Sequence, residues 1–127
     1  VGPRKRPLHN MGPCLATRDS MPFATYGIPG GRTIPNNQLN FSVSLIDLQV
    51  SAQAALDAPR FHSDGAEPIQ VESRAGEEVL KELRELGHEI AASGGIGGPG
   101  HAIRVSDDGT CHDGGTDPRG EGKVISR

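Results

Sequence analysis

An α+β fold is expected from this chain of 127 residues. Two stretches, at about 35–50 and 76–86, repeat apolar residues at helical spacing. Short β-prone runs lie on either side of them, bounded by turn-forming residues. Eighteen glycines and ten prolines punctuate the chain, so its elements must be short and its loops many.

Residues 1–13 read as a loop marked by Pro3, Pro7, Gly12 and Pro13. Residues 14–18 and 22–28 read as strands, with Asp19-Ser20 suited to the hairpin turn between them. Pro29-Gly30-Gly31 ends the second strand. A helix over 35–50 follows, with Leu39, Val43, Ile46 and Val50 as its buried stripe. Pro35 is tolerated because the first helical turn has no internal acceptor for a backbone N–H there. Ser51 suits the N-cap of a short helix over 52–58, which Pro59 stops.

Residues 60–62 and 69–72 read as strands. The helix over 76–86 carries Val79, Leu80, Leu83 and Leu86 on its apolar face. Glu77 and Glu78 sit at the positive end of its dipole, and Glu77 is spaced to pair with Lys81. Gly87 is a left-handed stop. Residues 88–92 return as a strand, and 93–100 read as a flexible glycine-rich loop. Residues 102–105 and 110–112 suggest a last hairpin around Asp107-Asp108-Gly109. Residues 113–127 read mostly as loop.

Thirteen basic against sixteen acidic side chains argue against a general nucleic-acid binder. The only basic cluster, Arg4-Lys5-Arg6, lies between prolines and reads as a solvated or internally paired loop. No run approaches the ~20 apolar residues that cross a bilayer. With 34% apolar residues and no Trp, a self-sufficient core is doubtful, and burial against another chain or segment is expected to help. The chain opens on Val1 in a sequence already in progress, so a fragment or processed product is expected. Cys14 and Cys111 are too few and too far apart to demand a disulfide framework; paired or free thiols both remain open.

Gly95, Gly97 and Gly100 match the spacing of a dinucleotide fingerprint. Pro99 interrupts them, however, and a strand follows where a helix is needed to meet a pyrophosphate. Cys111-His112-Asp113 are ligand-type residues, but neighbours on a strand point to opposite faces and no second ligand pair accompanies them. Neither a metal nor a cofactor is expected. His62 and His88 read as structural, whereas His9 lies with Asn10 in a Pro/Gly-framed loop, where function concentrates.

Pro29-Gly30-Gly31 is the strongest chemical signal. Two residues without side chains leave their N–H groups open to close approach, at the start of a helix whose dipole favours negative charge. Fixed donors of that kind stabilise the oxyanion of acyl transfer. A tight strand-to-helix turn that needs glycine would give the same residues.

Five segments together resemble the gamma-glutamyltranspeptidase family. Lys5-Arg6-Pro7-Leu8-His9-Asn10-Met11-Gly12-Pro13 resembles its substrate-binding loop, and Ile28-Pro29-Gly30-Gly31-Arg32-Thr33-Ile34 its oxyanion-hole turn. Ala55-Leu56-Asp57-Ala58-Pro59-Arg60-Phe61-His62 resembles its alanine-proline-arginine-histidine segment. Leu86-Gly87-His88 and Gly115-Thr116-Asp117-Pro118-Arg119 resemble later signatures in the right order.

The resemblance implies part of a four-layer αββα sandwich of the N-terminal-nucleophile hydrolases, here the C-terminal portion of the small subunit. It implies attack on a γ-glutamyl amide by an N-terminal threonine whose own amine is the base. That threonine is not among these residues, so the isolated chain is expected to be inactive. Gly30 and Gly31 would then stabilise the oxyanion, and His9 and Asn10 would contact the substrate. The implied partners are the rest of the small subunit and the large subunit of the same precursor. Two departures bear on specificity: the family's usual serine pair is His9-Asn10 here, and the usual serine-arginine after the two glycines is Arg32-Thr33. Related acylases take other acyl groups. The alternative is a non-catalytic domain of the same fold that binds an anion or a partner through the Gly30-Gly31 turn.

Overall fold

The computed structural model describes residues 2–6 and 11–125. Strand β1 (Cys14–Arg18) and strand β2 (Met21–Gly27) form an antiparallel hairpin in which Cys14 faces Tyr26. Asp19 and Ser20 turn it with φ of 51° and 66°. Such primed turns match the twist of the flanking strands and favour short polar residues. A short turn over Gly31–Thr33 leads into helix α1 (Ile34–Ser42), which widens into one further turn over Val43–Asp47. Helix α2 (Ala52–Asp57) is capped as expected, since the Ser51 hydroxyl accepts the Ala54 N–H at 3.1 Å.

Strands β3 (Phe61–His62), β4 (Ile69–Glu72) and β5 (Ile90–Ser93) make one small sheet, with β3 antiparallel and β5 parallel to β4. Helix α3 (Glu77–Glu85) is the crossover between β4 and β5. Gly87, at φ 97°, ends it as expected, donating its N–H to the Arg84 carbonyl. Strands β6 (His101–Val105) and β7 (His112–Thr116) complete a four-stranded antiparallel sheet in the order β1-β2-β6-β7. The α+β class therefore holds. No helix among the described residues is long and apolar enough to cross a membrane.

The main core lies between the four-stranded sheet and helices α1 and α2. Phe23, Tyr26 and Ala102 from the sheet, with Ile28 just past β2, join Ile34, Phe41, Leu45, Ala55 and Leu56 in the core. Tyr26 and Phe41 pack edge to face, with centroids 6.1 Å apart.

The expected stripe of α1 is corrected. Leu39, Val43 and Ile46 are 54%, 38% and 40% exposed, and only Val50, beyond the helix, packs on the core. The buried face is instead Ile34, Asn37, Phe41 and Leu45. Both faces carry apolar residues, and the sheet takes the one bearing the aromatic ring. The Asn37 amide nitrogen donates to the Thr33 carbonyl at 2.9 Å, while its oxygen has no partner among the described residues.

On α3, Leu80 is buried and Leu83 half-buried, but Val79 and Leu86 are exposed. Glu77 pairs with Arg84 at 3.0 Å, two turns along the same face, while Lys81 turns to Glu85 at 3.6 Å. The last strand also differs from expectation, running over His112–Thr116 rather than 110–112. Its sequence has little strand propensity, and tertiary context decides it. A Cβ on Gly115 would stand 2.7 Å from the backbone of Ala52 and Gln53, so only glycine lets β7 approach α2. Asp113 accepts the Ala52 N–H at 2.6 Å and draws the same two elements together. Both thiols are free, Cys14 half-buried and Cys111 exposed.

Candidate active site

Strand β2 ends where Gly27 pairs with His101, and buried Ile28 anchors the chain beyond it. Pro29-Gly30-Gly31 then turns the backbone into α1. Gly30 has φ 150° and ψ 14°, and Gly31 has φ 59°, conformations that residues with side chains avoid. At Gly30 space forbids a side chain as well, because a Cβ would meet the Thr33 hydroxyl at 2.5 Å. Both glycines are exposed. Among the described residues, no protein acceptor is found for either of their N–H groups.

The carbonyls of the turn are held. Thr33 donates to the Gly30 carbonyl twice, from its N–H at 3.2 Å and its hydroxyl at 3.0 Å. Gly98 donates its N–H to the Pro29 carbonyl at 2.9 Å. The 93–100 segment, expected as a flexible loop, is therefore the backing of the glycine turn. It is fastened at three more points. The Ile96 N–H donates to Glu72 at 3.0 Å, the Gly100 N–H donates to Asp117 at 2.9 Å, and Arg60 donates to the Ile96 and Gly98 carbonyls at 3.2 and 3.0 Å.

Arg60 belongs to a buried network of charges. Its guanidinium pairs with the Asp117 carboxylate, and both side chains are almost wholly buried. Arg119 joins Asp117 at 3.0 Å to Glu72 at 2.7 Å. Arg74 adds a second cation on Glu72 at 2.8 Å. Arg119 also donates to the Leu56 and Ala58 carbonyls, the orphan acceptors near the end of α2. Buried charges survive only when paired and hydrogen-bonded, and here two carboxylates meet three guanidinium groups.

The network joins segments that sequence reasoning singled out separately: 58–62, 115–119 and the glycine-rich loop. Arg60, Glu72, Asp117, Thr33 and Gly98 were not expected at the site. Arg60, Asp117 and Gly98 lie in those segments and Thr33 follows the glycine turn, but Glu72 had no signal at all. A contact across 57 residues of sequence, as between Arg60 and Asp117, leaves no local pattern.

His62 and His88, expected as satisfied side chains, each have a hydrogen-bond partner. The buried His62 ring bonds Asn36 at 2.8 Å and lies 3.4 Å from Asp64. His88 bonds Glu67 at 3.0 Å, and that bond holds the Glu67 carboxyl below its ordinary range. Arg32, beside the turn, is exposed and lies 3.7 Å from Asp64. His9 and Asn10, the expected substrate contacts, lie outside the described residues.

The gamma-glutamyltranspeptidase family model matches residues 1–126. Glutathione hydrolase proenzyme of Escherichia coli (strain K12) is 34% identical over 120 residues, which are 94% of this chain and 20% of the relative. The chain thus spans about a fifth of that relative's length. Among solved structures, the T380A mutant of Helicobacter pylori gamma-glutamyltranspeptidase superposes with a TM-score of 0.83 at 29% identity, covering 94% of this chain and 66% of that one. A cephalosporin acylase from Bacillus halodurans superposes with a TM-score of 0.79 at 31% identity, covering 86% of this chain and 21% of that one.

Proposed function

This chain belongs to the gamma-glutamyltranspeptidase family, and we propose that it supplies the oxyanion-binding turn of an amide hydrolase or acyltransferase. The nucleophile in this reading is an N-terminal threonine encoded upstream of Val1. Its hydroxyl oxygen attacks the carbonyl carbon of an acyl amide, and its proton passes to the threonine's own α-amine. As the new C–O bond forms, the carbonyl electron pair moves onto oxygen. The N–H groups of Gly30 and Gly31 donate to that oxyanion. Collapse breaks the C–N bond, the amine leaves with the proton, and the acyl group passes to water or to an amino acid. His9 and Asn10 would contact the acyl group, and their departure from the family's serine pair favours an acyl group other than γ-glutamyl.

The observation that carries this reading is the Gly30-Gly31 turn, whose carbonyls are tied down while its two N–H groups have no described protein acceptor. Donors fixed before the reaction need no reorganisation when charge develops, which is what makes an oxyanion site effective. The test is expression of the complete coding sequence and assay on a panel of chromogenic acyl amides, γ-glutamyl included. Turnover by the complete protein, none by the 127-residue chain, and a fall in kcat for Gly31→Ala are expected. A complete protein that turns over no acyl amide would leave only a binding role for the turn.

A further inference from the structure

In a trans peptide, the carbonyl of one residue and the N–H of the next point in opposite directions across one rigid plane. Fixing the carbonyl therefore aims the N–H. The Gly30–Gly31 peptide has its carbonyl held by the Thr33 hydroxyl and N–H, which aims the Gly31 N–H the other way. The Pro29–Gly30 peptide has its carbonyl held by the Gly98 N–H, which aims the Gly30 N–H. The two clamps lie side by side: a Cβ on Gly30 would meet the Thr33 hydroxyl at 2.5 Å and the Gly98 nitrogen at 3.3 Å. Arg60, bound to the Gly98 carbonyl and anchored by Asp117, holds the second clamp from behind.

We propose that Thr33 and Gly98 are positioning groups for the oxyanion site, each holding the carbonyl of a peptide whose N–H is one of the two donors. This rests on the acyl-transfer reading above and adds what orients its donors.

The experiment compares Thr33→Val, Thr33→Ala, Thr33→Ser and Gly31→Ala in the complete protein, on the best substrate of the panel. Valine keeps the shape and the backbone bond but loses the hydroxyl bond, and alanine removes the hydroxyl without adding a methyl against Gly30. Both are expected to lower kcat by about tenfold with KM little changed, a fraction of the ~10²–10³-fold that a lost donor costs. Serine keeps the hydroxyl and is expected to restore kcat. If Gly31→Ala lowers kcat while Thr33→Val and Thr33→Ala do not, the positioning role is overturned and the oxyanion reading stands. If serine fails to rescue and all three variants lose activity in step with their melting temperature, Thr33 is only structural. If Gly31→Ala leaves kcat unchanged, both the clamp and the oxyanion reading fall.

Discussion

Arg60 donates to the carbonyl of Gly98 at 3.0 Å, and the amide of that same Gly98 holds the Pro29 carbonyl at 2.9 Å. A buried guanidinium is thus two hydrogen bonds away from the glycine turn. Arg60, Asp117 and Glu72, the buried charges of the network, each have an opposite partner, while Arg74 reaches Glu72 from the solvent side.

Removing one member should be costly. Asp117→Ala leaves Arg60 buried without its carboxylate and also removes the acceptor of the Gly100 N–H. Breaking a buried pair from one side costs about 3–5 kcal/mol. Urea unfolding of the protein should show a loss of unfolding free energy of that size, read as a lower midpoint at unchanged slope. A midpoint within error of the parent would mean that water or neighbouring carbonyls compensate Arg60.

The face of α1 is tested by two leucines. Leu45 is fully buried, whereas Leu39 is 54% exposed. Leu45→Ala is expected to cost about 2–5 kcal/mol through lost burial and the cavity left behind. Leu39→Ala should stay within about 0.5 kcal/mol, as exposed positions usually do. Equal costs in denaturant titrations would contradict the orientation of the helix described here.

Much of the fold was legible because its causes are local. The Asp19-Ser20 turn, the Ser51 cap and the Gly87 stop depend on residues a few positions apart, and each is found where the sequence put it. The helix face was not legible. Asn37 interrupts the true stripe, and Leu39, Val43 and Ile46 offer a more regular false one. Choosing between them requires the sheet that α1 covers. The glycine-rich loop was misjudged for the same reason, since its order comes from Arg60, Glu72 and Asp117, all distant in sequence. The Gly30-Gly31 turn was legible, but the groups that aim it were not.

The β6–β7 turn carries an acid-sensitive contact. Ser106 and Thr110 donate to the Asp108 carboxylate, which lowers its carboxyl from 3.8 to about 2. A carboxyl lowered on folding adds stability above its unfolded value, and that contribution is lost as pH falls through the folded one. The turn should therefore keep this contact above about pH 4 and lose it toward pH 2. A carbon-13 titration of the Asp108 carboxyl checks this, and Ser106→Ala should move the midpoint up. A midpoint at the ordinary value in the parent protein would show that these bonds do not persist in solution.

For substrate choice, the proposed reading assigns His9 and Asn10 to the role that the resemblance gives the family's serine pair. Imidazole is bulkier than a hydroxyl and titrates near pH 6.5. The double change His9→Ser with Asn10→Ser should improve γ-glutamyl turnover relative to the native substrate, and His9→Ala should flatten the pH dependence of KM between pH 5 and 8. Steady-state kinetics on the acyl-amide panel decide the matter. An unchanged acyl preference together with a silent His9→Ala would remove the loop from the substrate site.

The central claim is that the Gly30-Gly31 turn stabilises charge that develops only during acylation. Alanine at position 31 keeps the N–H but opposes φ 59°, so it displaces the donor without deleting it. The most direct measurement is the single-turnover acylation rate of Gly31→Ala beside its substrate dissociation constant, both in the complete protein. Acylation slower by about 10²-fold, with the dissociation constant changed by less than about threefold, is the result expected of a donor that acts in the transition state. An unchanged acylation rate, or a loss confined to substrate binding, would contradict it.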